Sequence, residues 1–533
     1  MRKREQQQIL TLLQTIRDAQ AEGAYADCQN GALAVGEYIE GIEGKGTQTV
    51  ALLEEYCDLL FKVHSGEIGK NQLRNHLVKI ENSVRSELRP NKIEVAFFPY
   101  KASMADSFET IYLAAKADPQ CDAYWVPIPY VDRTAALAYG DMHYEGDLYP
   151  EKFEVTDWRE YDVEARHPDI AFIHNPYDDR NYLSTVHQDY YSSALKEKVD
   201  FLVYVEYGIP YRIHRDPALL TYGEFTRVSP FLLNSDLVVS YSVFHTERIR
   251  LALLNNHHVT SQFTRQQIID KIVALGSAKF DKVVNSTKED HALPDDWGNL
   301  IGRKKVLLYI TSLSDLIKGE EKSLDEIANV IDISSKRNDI VLWWRPHPIT
   351  VDTLKNMRAG LKDRYATIVA KYKSSGLGIF DDTPDAHRAI AWSDGCLTNF
   401  SSLMFMYLAS GKPFTVLSES IRLPKNLYDR HLTTFHEPLQ RRIDNMKSAK
   451  GANVRQRNTC IWWRNFLSVN VIDKIRYDNA IEVFLDYIVH MDDYAEAEEY
   501  RQLQLQMFKD FVVNPDGTAG EKIYQYCKEH VNK

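Results

Sequence analysis

The stretch VLWWRPHPIT, residues 341–350, decides the fold. The residues from Ile340 to Trp344 carry neither charge nor alternation, the pattern of a strand buried on both faces of a parallel sheet. Pro346 and Pro348 follow, so the strand is expected to stop there and leave through a stiffened loop. Arg345 and His347 then stand at the carboxyl end of a buried strand, the edge at which open α/β sheets bind ligands.

Working outward, the same grammar repeats. VLLYITS (306–312) is a strand and GEEKSLDEIANVIDISSK (319–336) a helix. After the opening stretch come the helical 351–372, the short strand GIFDD (378–382), the helical PDAHRAIAWSD (384–394) and the strand GCLT (395–398). A helix from Ser401 stops at Gly411 and Pro413, and FTVL (414–417) is the last strand expected. Upstream, a first series holds strands in IEVAFFPY (93–100), AYWVPIPY (123–130), DIAFIHNPY (169–177), DFLVYVEYG (200–208) and DLVVSYS (236–242). Asp106 with Glu109 reads as a capping box for a helix over 106–119. Such alternation predicts an α/β fold of two Rossmann-like domains in tandem.

The expected division is a helical N-terminal region at 1–90, a first Rossmann-like domain at 91–295, a second at 296–470 and a helical tail at 471–533. Apolar residues three and four apart make 1–90 helical, with Gly-rich turns at 22–31 and 41–46. That region suits bracing or a homo-oligomer contact. The tail suits a brace across the two domains.

Composition narrows the function. The net charge of −11 argues against nucleic acid as the principal partner. The six cysteines form no Cys-x-x-Cys pair, so neither a zinc ribbon nor a disulfide framework is indicated. The first 20 residues turn polar too soon for a secretory signal, and no apolar run approaches the roughly 20 residues that span a bilayer. A cytoplasmic protein is expected, with room for contact at the inner face of the plasma membrane. Metal-binding and Walker motifs are absent from the sequence, as is Gly-x-Gly-x-x-Gly; no cofactor and no metal are expected.

Two features on one predicted sheet edge carry the chemistry. The segment SDGCLTNFSSLMF (393–405) ends a strand at Thr398 and starts a helix at Ser401 and Ser402. Free N–H groups and hydroxyls at a helix start form a phosphate seat, or simply a cap. The Arg345-Pro-His347-Pro loop shares that edge, and together they suit a diphosphate. In the first series FFPYKASMADSFET (97–110) sets Tyr100, Lys101 and Ser103 on a loop facing an inter-domain cleft, on the acceptor side. His174, Asp178 and Asp179 read as a capped loop first and as catalytic groups second.

The ordered set WWRPHP (343–348), FDDTPDAHRAIAWSDGCLTNFSSLMF (380–405) and SGKPF (410–414), with LNSDLVVSYS (233–242) and ALGSAKFDKV (274–283) upstream, resembles the CDP-glycerol:poly(glycerophosphate) glycerophosphotransferases. These are bacterial teichoic acid polymerases and primases of the GT-B type. The resemblance spans about residues 200–420. It implies that His347 contacts the diphosphate of a CDP-activated polyol donor, with Arg345 and Asn399 close by. Ser401 and Ser402 would hold phosphate oxygens, while Asp385, Arg388 and Asp394 orient the cytidine or ribose. A hydroxyl of a surface polymer or lipid-linked acceptor would then attack phosphorus and release CMP.

Two departures stand out. The family's Trp-His-Gly-Thr-Pro-like motif supplies a histidine base, yet YVEYGIPYRIH (204–214) has Tyr207 there, leaving Glu206 or His214 to substitute. The family's Asp-Tyr-Ser-Ser reads Asn399-Phe400-Ser401-Ser402. A nucleotide-sugar glycosyltransferase and a non-catalytic nucleotide-binding scaffold are the alternatives.

Overall fold

A computed structural model of the chain describes residues 1–133, 138–181, 184–209, 229–399, 401–417, 471–472, 480–493 and 496–531. Met1–Val95 with Lys116–Ala123 form one compact unit, and Ala96–Ala115 with Tyr124–Lys533 the other.

The first unit is built on four helices, Lys3–Glu22, Tyr25–Glu43, Gln48–His64 and Asn71–Ser86. Ile9, Leu13 and Ile16 meet Leu53, Tyr56, Leu60, Leu73, Leu77 and Ile80 in one buried cluster, the stripe their spacing predicts. The turn expected over 22–31 contracts to its first residues. Gly23 takes a φ of 82° and caps the first helix, whereas Gly31 lies inside the second. A Cβ on Gly31 would stand 3.0 Å from the Ile16 side chain, so the missing side chain lets two helices approach closely.

The described residues after the four helices form two parallel sheets. One holds β1 (Ile93–Phe97), β2 (Cys121–Trp125), β5 (Ile170–Ile173), β7 (Leu202–Val205), β8 (Leu237–Ser240) and β9 (Ile272–Ala274), ordered β2-β1-β5-β7-β8-β9. The other holds β10 (Lys305–Thr311), β11 (Ile340–Pro346), β12 (Gly378–Phe380), β13 (Gly395–Thr398), β14 (Phe414–Leu417) and β15 (Val471–Ile472), ordered β12-β11-β10-β13-β14-β15. Counted from its own first strand, the second order is 3-2-1-4-5-6, the doubly wound arrangement of a dinucleotide-binding fold. The α/β architecture expected from the strand–helix alternation is the one observed. β15 was not anticipated, because two residues on a sheet edge show no periodicity. Nor was the small antiparallel sheet of β3 (Tyr130–Arg133), β4 (Tyr139–His143) and β6 (Ser184–Val186), ordered β4-β3-β6.

β11 is buried at every position from Ile340 to Pro346. Trp343 packs edge-on to Trp297 at 5.0 Å, while Trp344 meets Phe380 at 5.1 Å and Tyr372 at 5.5 Å. The strand runs two residues further than expected, so Arg345 belongs to it and is 4% exposed. The helical tail returns to the first sheet: Val513 donates its N–H to the Tyr241 carbonyl at 3.0 Å, and Asp281 accepts from the backbone of Ala519 and Gly520 at 3.1 and 2.7 Å. Among the described residues no helix is long and apolar enough to cross a membrane.

The Arg345 guanidinium donates to Asp381 Oδ2 at 2.7 Å and to the Thr383 carbonyl at 2.6 Å. Asp381 also accepts from Trp343 Nε1 at 3.0 Å and from the Thr383 N–H and hydroxyl at 3.0 and 2.7 Å. Removing one partner of such a buried pair strands the other charge. Asp381→Ala is therefore expected to cost about 3–5 kcal/mol, read as a lower denaturation midpoint. An unchanged midpoint would show that Arg345 finds other solvation.

Candidate functional site

β11 and β13 both pair with β10, and both end level with its carboxyl terminus. Thr311 is opposite Pro346 and Ile310 opposite Thr398. His347 and Asn399 thus step off the sheet on either side of β10, two strand spacings or roughly 10 Å apart. The order reverses between β10 and β13, so the crevice of the doubly wound sheet opens at this edge. Ser401 is the N-cap of the Ser402–Ala409 helix, and its hydroxyl is buried with no hydrogen-bond partner among the described residues. Of the Ser402 side chain, which lies outside the described residues, nothing is stated; its backbone begins the helix.

His347 is exposed, with Nδ1 accepting the Ile349 N–H at 3.4 Å. The surrounding protein, then the charges of Lys101 and Arg345, depress its pKa to about 4, so the ring is neutral near pH 7. Lys101 belongs to the loop after β1, beside β5, where the order of the first sheet reverses. Its ammonium lies 4.4 Å from the Tyr130 ring centroid. Burial lowers its pKa, against the raising pull of Glu145, Asp132 and Asp352. Because Asp352 belongs to the Thr350–Met357 helix just after His347, Lys101 and the His347 loop share one electrostatic environment. Tyr100 is buried, 5.2 Å edge-on from His174, and its N–H reaches His174 Nε2 at 3.4 Å. Ser103 lies half-buried in the Ala102–Ser107 turn of 3-10 helix.

Glu206 follows β7. Burial of its carboxyl pushes the pKa up to about 7, against the lowering effect of a 3.2 Å hydrogen bond from Tyr204. That value suits a proton acceptor at neutral pH. Tyr207 hydrogen-bonds Tyr177 and sits 6.1 Å edge-on from His174. His214 lies outside the described residues.

The other expected ligands are engaged within the fold. Arg345 spends its guanidinium on Asp381 and Thr383, just after β12. Asp394 sits at the opposite edge: its carboxylate accepts the Val306 N–H at 2.8 Å, at the amino end of β10. A strand of seven residues separates the two edges by roughly 20 Å. Arg388 lies 5.8 Å from the Trp297 ring centroid. Asn399 is engaged, accepting from the Ser312 N–H at 3.4 Å and donating to Glu326 and the Leu417 carbonyl at 3.3 Å each. It ties three strand ends together in the crevice, and Ser312 enters the site through it. Asp385 caps the Ala386–Trp392 helix through the His387 N–H at 2.9 Å. Burial opposes its charge, but His291 at 3.6 Å and Lys282 at 3.9 Å hold its pKa well below the usual range. Asp178 accepts from Ser192 N–H and hydroxyl at 2.9 and 2.7 Å, the capped-loop reading.

Asp106 is not a capping-box residue. Its carboxylate is buried between Lys279 Nζ at 2.5 Å and His387 Nε2 at 3.1 Å. Those partners lie 173 and 281 residues away, and no local pattern announces them.

Residues 241–423 match the model of the CDP-glycerol:poly(glycerophosphate) glycerophosphotransferase family, within which the His347, Ser401 and Ser402 segments fall. No curated protein sequence matches the chain. Among solved structures, the wall teichoic acid polymerase TagF aligns with 87% of this chain and 96% of its own at 14% identity and a TM-score of 0.44. A UDP-N-acetylglucosamine 2-epimerase aligns with 84% and 98% at 12% identity and a TM-score of 0.45. MnaA of S. aureus in complex with UDP aligns with 83% and 97% at 13% identity and a TM-score of 0.45. These likenesses bear on neither reaction nor substrate.

The His347 pKa is lower than that of a free imidazole, so its share of stability is present above about pH 6.5 and is lost as pH falls toward 4. Lys101→Met removes a positive neighbour and is expected to raise that pKa. The pH midpoint of His347 modification by diethyl pyrocarbonate, which attacks the neutral ring, should move up. A midpoint unaffected by the substitution would separate the two groups.

Proposed function

We propose that this chain, whose residues 241–423 match the model of the CDP-glycerol:poly(glycerophosphate) glycerophosphotransferase family, moves glycerol phosphate or a related polyol phosphate from a CDP-activated donor to an acceptor hydroxyl. The observation that carries the proposal is the joint placement of His347 and the partnerless Ser401 hydroxyl on one sheet edge, inside the segment that matches the family.

In this reading the donor diphosphate lies across the carboxyl ends of β11, β10 and β13. Ser401 Oγ and the N–H groups opening the Ser402–Ala409 helix donate to phosphate oxygens. His347, neutral when free, gains from a nearby diphosphate the negative charge that favours its imidazolium. The acceptor oxygen attacks the phosphorus bearing the polyol, the bond to the CMP oxygen breaks, and CMP leaves with the electron pair. Glu206 takes the hydroxyl proton, in place of the family histidine whose position Tyr207 fills. Lys101, from the opposite loop, offsets the charge growing on the phosphoryl oxygens. The acceptor is a surface polymer or its lipid-linked precursor, met at the cytoplasmic face of the membrane. The substitution at Tyr207 favours a second reading, a scaffold that binds the donor without turnover.

CDP-glycerol or CDP-ribitol is expected to raise the melting temperature of the full chain, where UDP-sugars do not, and His347→Ala should remove the shift. A hundredfold excess over Kd corresponds to about 2.7 kcal/mol. Stabilisation by UDP-sugars alone would assign a sugar donor instead. Glu206→Gln should keep the shift while CMP release falls roughly 10²–10⁴-fold, and the wild-type rate should climb as pH rises through about 7. Donor binding with no CMP release from the wild type would select the scaffold.

A further inference from the structure

A cavity of about 670 Å³ lies along the Ala386–Trp392 helix, away from the His347 edge. It runs from His387 in the first turn to Ile390 and Ala391 at the end, and is closed by the residues after the Ala278–Asn285 helix and by the Glu496–Phe511 helix. Its wall has an excess of positive charge. Lys288, Lys412 and Lys509 line it, and none has a carboxylate partner among the described residues. Lys412 Nζ donates to the carbonyls of Ile390, Ala391 and Ser393 at 2.8, 2.7 and 2.8 Å. These satisfy its hydrogens without neutralising its charge. Burial first, and then the charge of Lys288, lowers its pKa to about 8.

The remaining charges on the wall are engaged. Arg501 pairs with Glu498 at 3.3 Å. Asp516 pairs with Lys522 at 3.5 Å and accepts from Thr518 at 2.6 Å, and Glu289 accepts a hydrogen bond from Thr287. His387 supplies an independent sign of a missing ligand. Its Nε2 is held by Asp106, the residue is 3% exposed, burial lowers its pKa, and its buried Nδ1 has no hydrogen-bond partner among the described residues. Lys288 and Lys412 are half-buried and Lys509 exposed, so the wall gathers positive charge with a spare imidazole acceptor beside it, a setting that suits a partly protonated anion.

We infer that this cavity binds a phosphate-bearing anion, either inorganic phosphate or the phosphate monoester of a small molecule, at a site separate from the one that takes the donor. Lys288 and Lys509 supply the charge. The O–H that a partly protonated phosphate carries would donate to His387 Nδ1 and complete the ring's hydrogen bonding while Nε2 stays with Asp106. Occupancy would therefore tighten the link between the loop after β1 and the second sheet.

The test is thermal denaturation of the full chain against inorganic phosphate and, separately, glycerol 3-phosphate, with chloride holding ionic strength constant. A saturable rise in melting temperature is expected. It should weaken at least tenfold in apparent affinity in a Lys288→Gln/Lys509→Gln variant and persist in His347→Ala. Equal affinities for the two probes would assign inorganic phosphate, and tighter binding of the ester would assign the monoester. No saturable rise, a rise that survives the double lysine substitution, or a rise lost in His347→Ala would overturn the inference. Neither lysine has an ion-pair partner among the described residues, though Lys288 lies 5.6 Å from the Trp392 ring centroid, and circular dichroism checks that the double variant is folded. The outcome does not depend on whether CDP-polyols bind.

Discussion

The buried carboxylate of Asp106 is the constraint on which the arrangement of the two sheets rests. It sits in the turn after β1 and is gripped by Lys279, from the helix after β9, and by His387, from the helix after β12. Burial works against its charge, but Lys279 and His387 together hold its pKa well below the usual carboxylate range. An ionised group so placed demands partners in fixed positions, because any slip of one sheet against the other exposes an unpaired charge to apolar surroundings. Around it Lys282 reaches both Glu109 at 3.3 Å and Asp385 at 3.9 Å, and Lys152 pairs with Glu109. The same turn carries Lys101 five residues earlier. Fixing Asp106 therefore fixes where Lys101 stands relative to His347.

With that geometry set, the edge is tuned by desolvation more than by opposed charges. The protein around His347 keeps it neutral, and the protein around Glu206 keeps its carboxyl near half-protonation at pH 7. Glu206 is thereby held close to the point where a modest change of surroundings moves a proton, whereas His347, with a pKa of about 4, is firmly neutral at pH 7. The first sheet offers its own reversal of strand order between β1 and β5, where His174 bridges the Tyr100 N–H and, through Nδ1 at 2.8 Å, the Ser107 hydroxyl. That buried imidazole holds the Lys101 loop at both ends.

Legibility in the sequence followed the range of the interactions. The buried strands, the two α/β series and the helix start at Ser401 are local patterns, and they stand where periodicity and proline placed them. His347 at a strand's carboxyl end followed from the same logic. What failed was long-range or end-blind. Asp106 looks like a cap because Asp-x-x-Glu is the local signature of one, whereas its partners arrive from distant helices. Asp394 looked close to the phosphate seat because only seven residues separate it from Ser401, but a strand lies between, and a strand carries its two ends to opposite edges. Gly31 suggests a turn, since Asn-Gly usually marks one, but it lies inside a helix packed against Ile16.

Arg345 shows why an arginine two residues from an exposed histidine need not share its surroundings. Side chains alternate along a strand, so Arg345 and His347 share a direction only if the strand stays regular, and here it ends at Pro346. The guanidinium turns instead to Asp381 and Thr383, the first residues after β12. It thereby pins the ends of β11 and β12 together, with Trp343 Nε1 completing the carboxylate's hydrogen bonds. The loop that carries His347 leaves from that pinned point with a proline on each side. A ring on so short and stiff an exit has little backbone freedom left to lose. The arginine's role is to hold the histidine still.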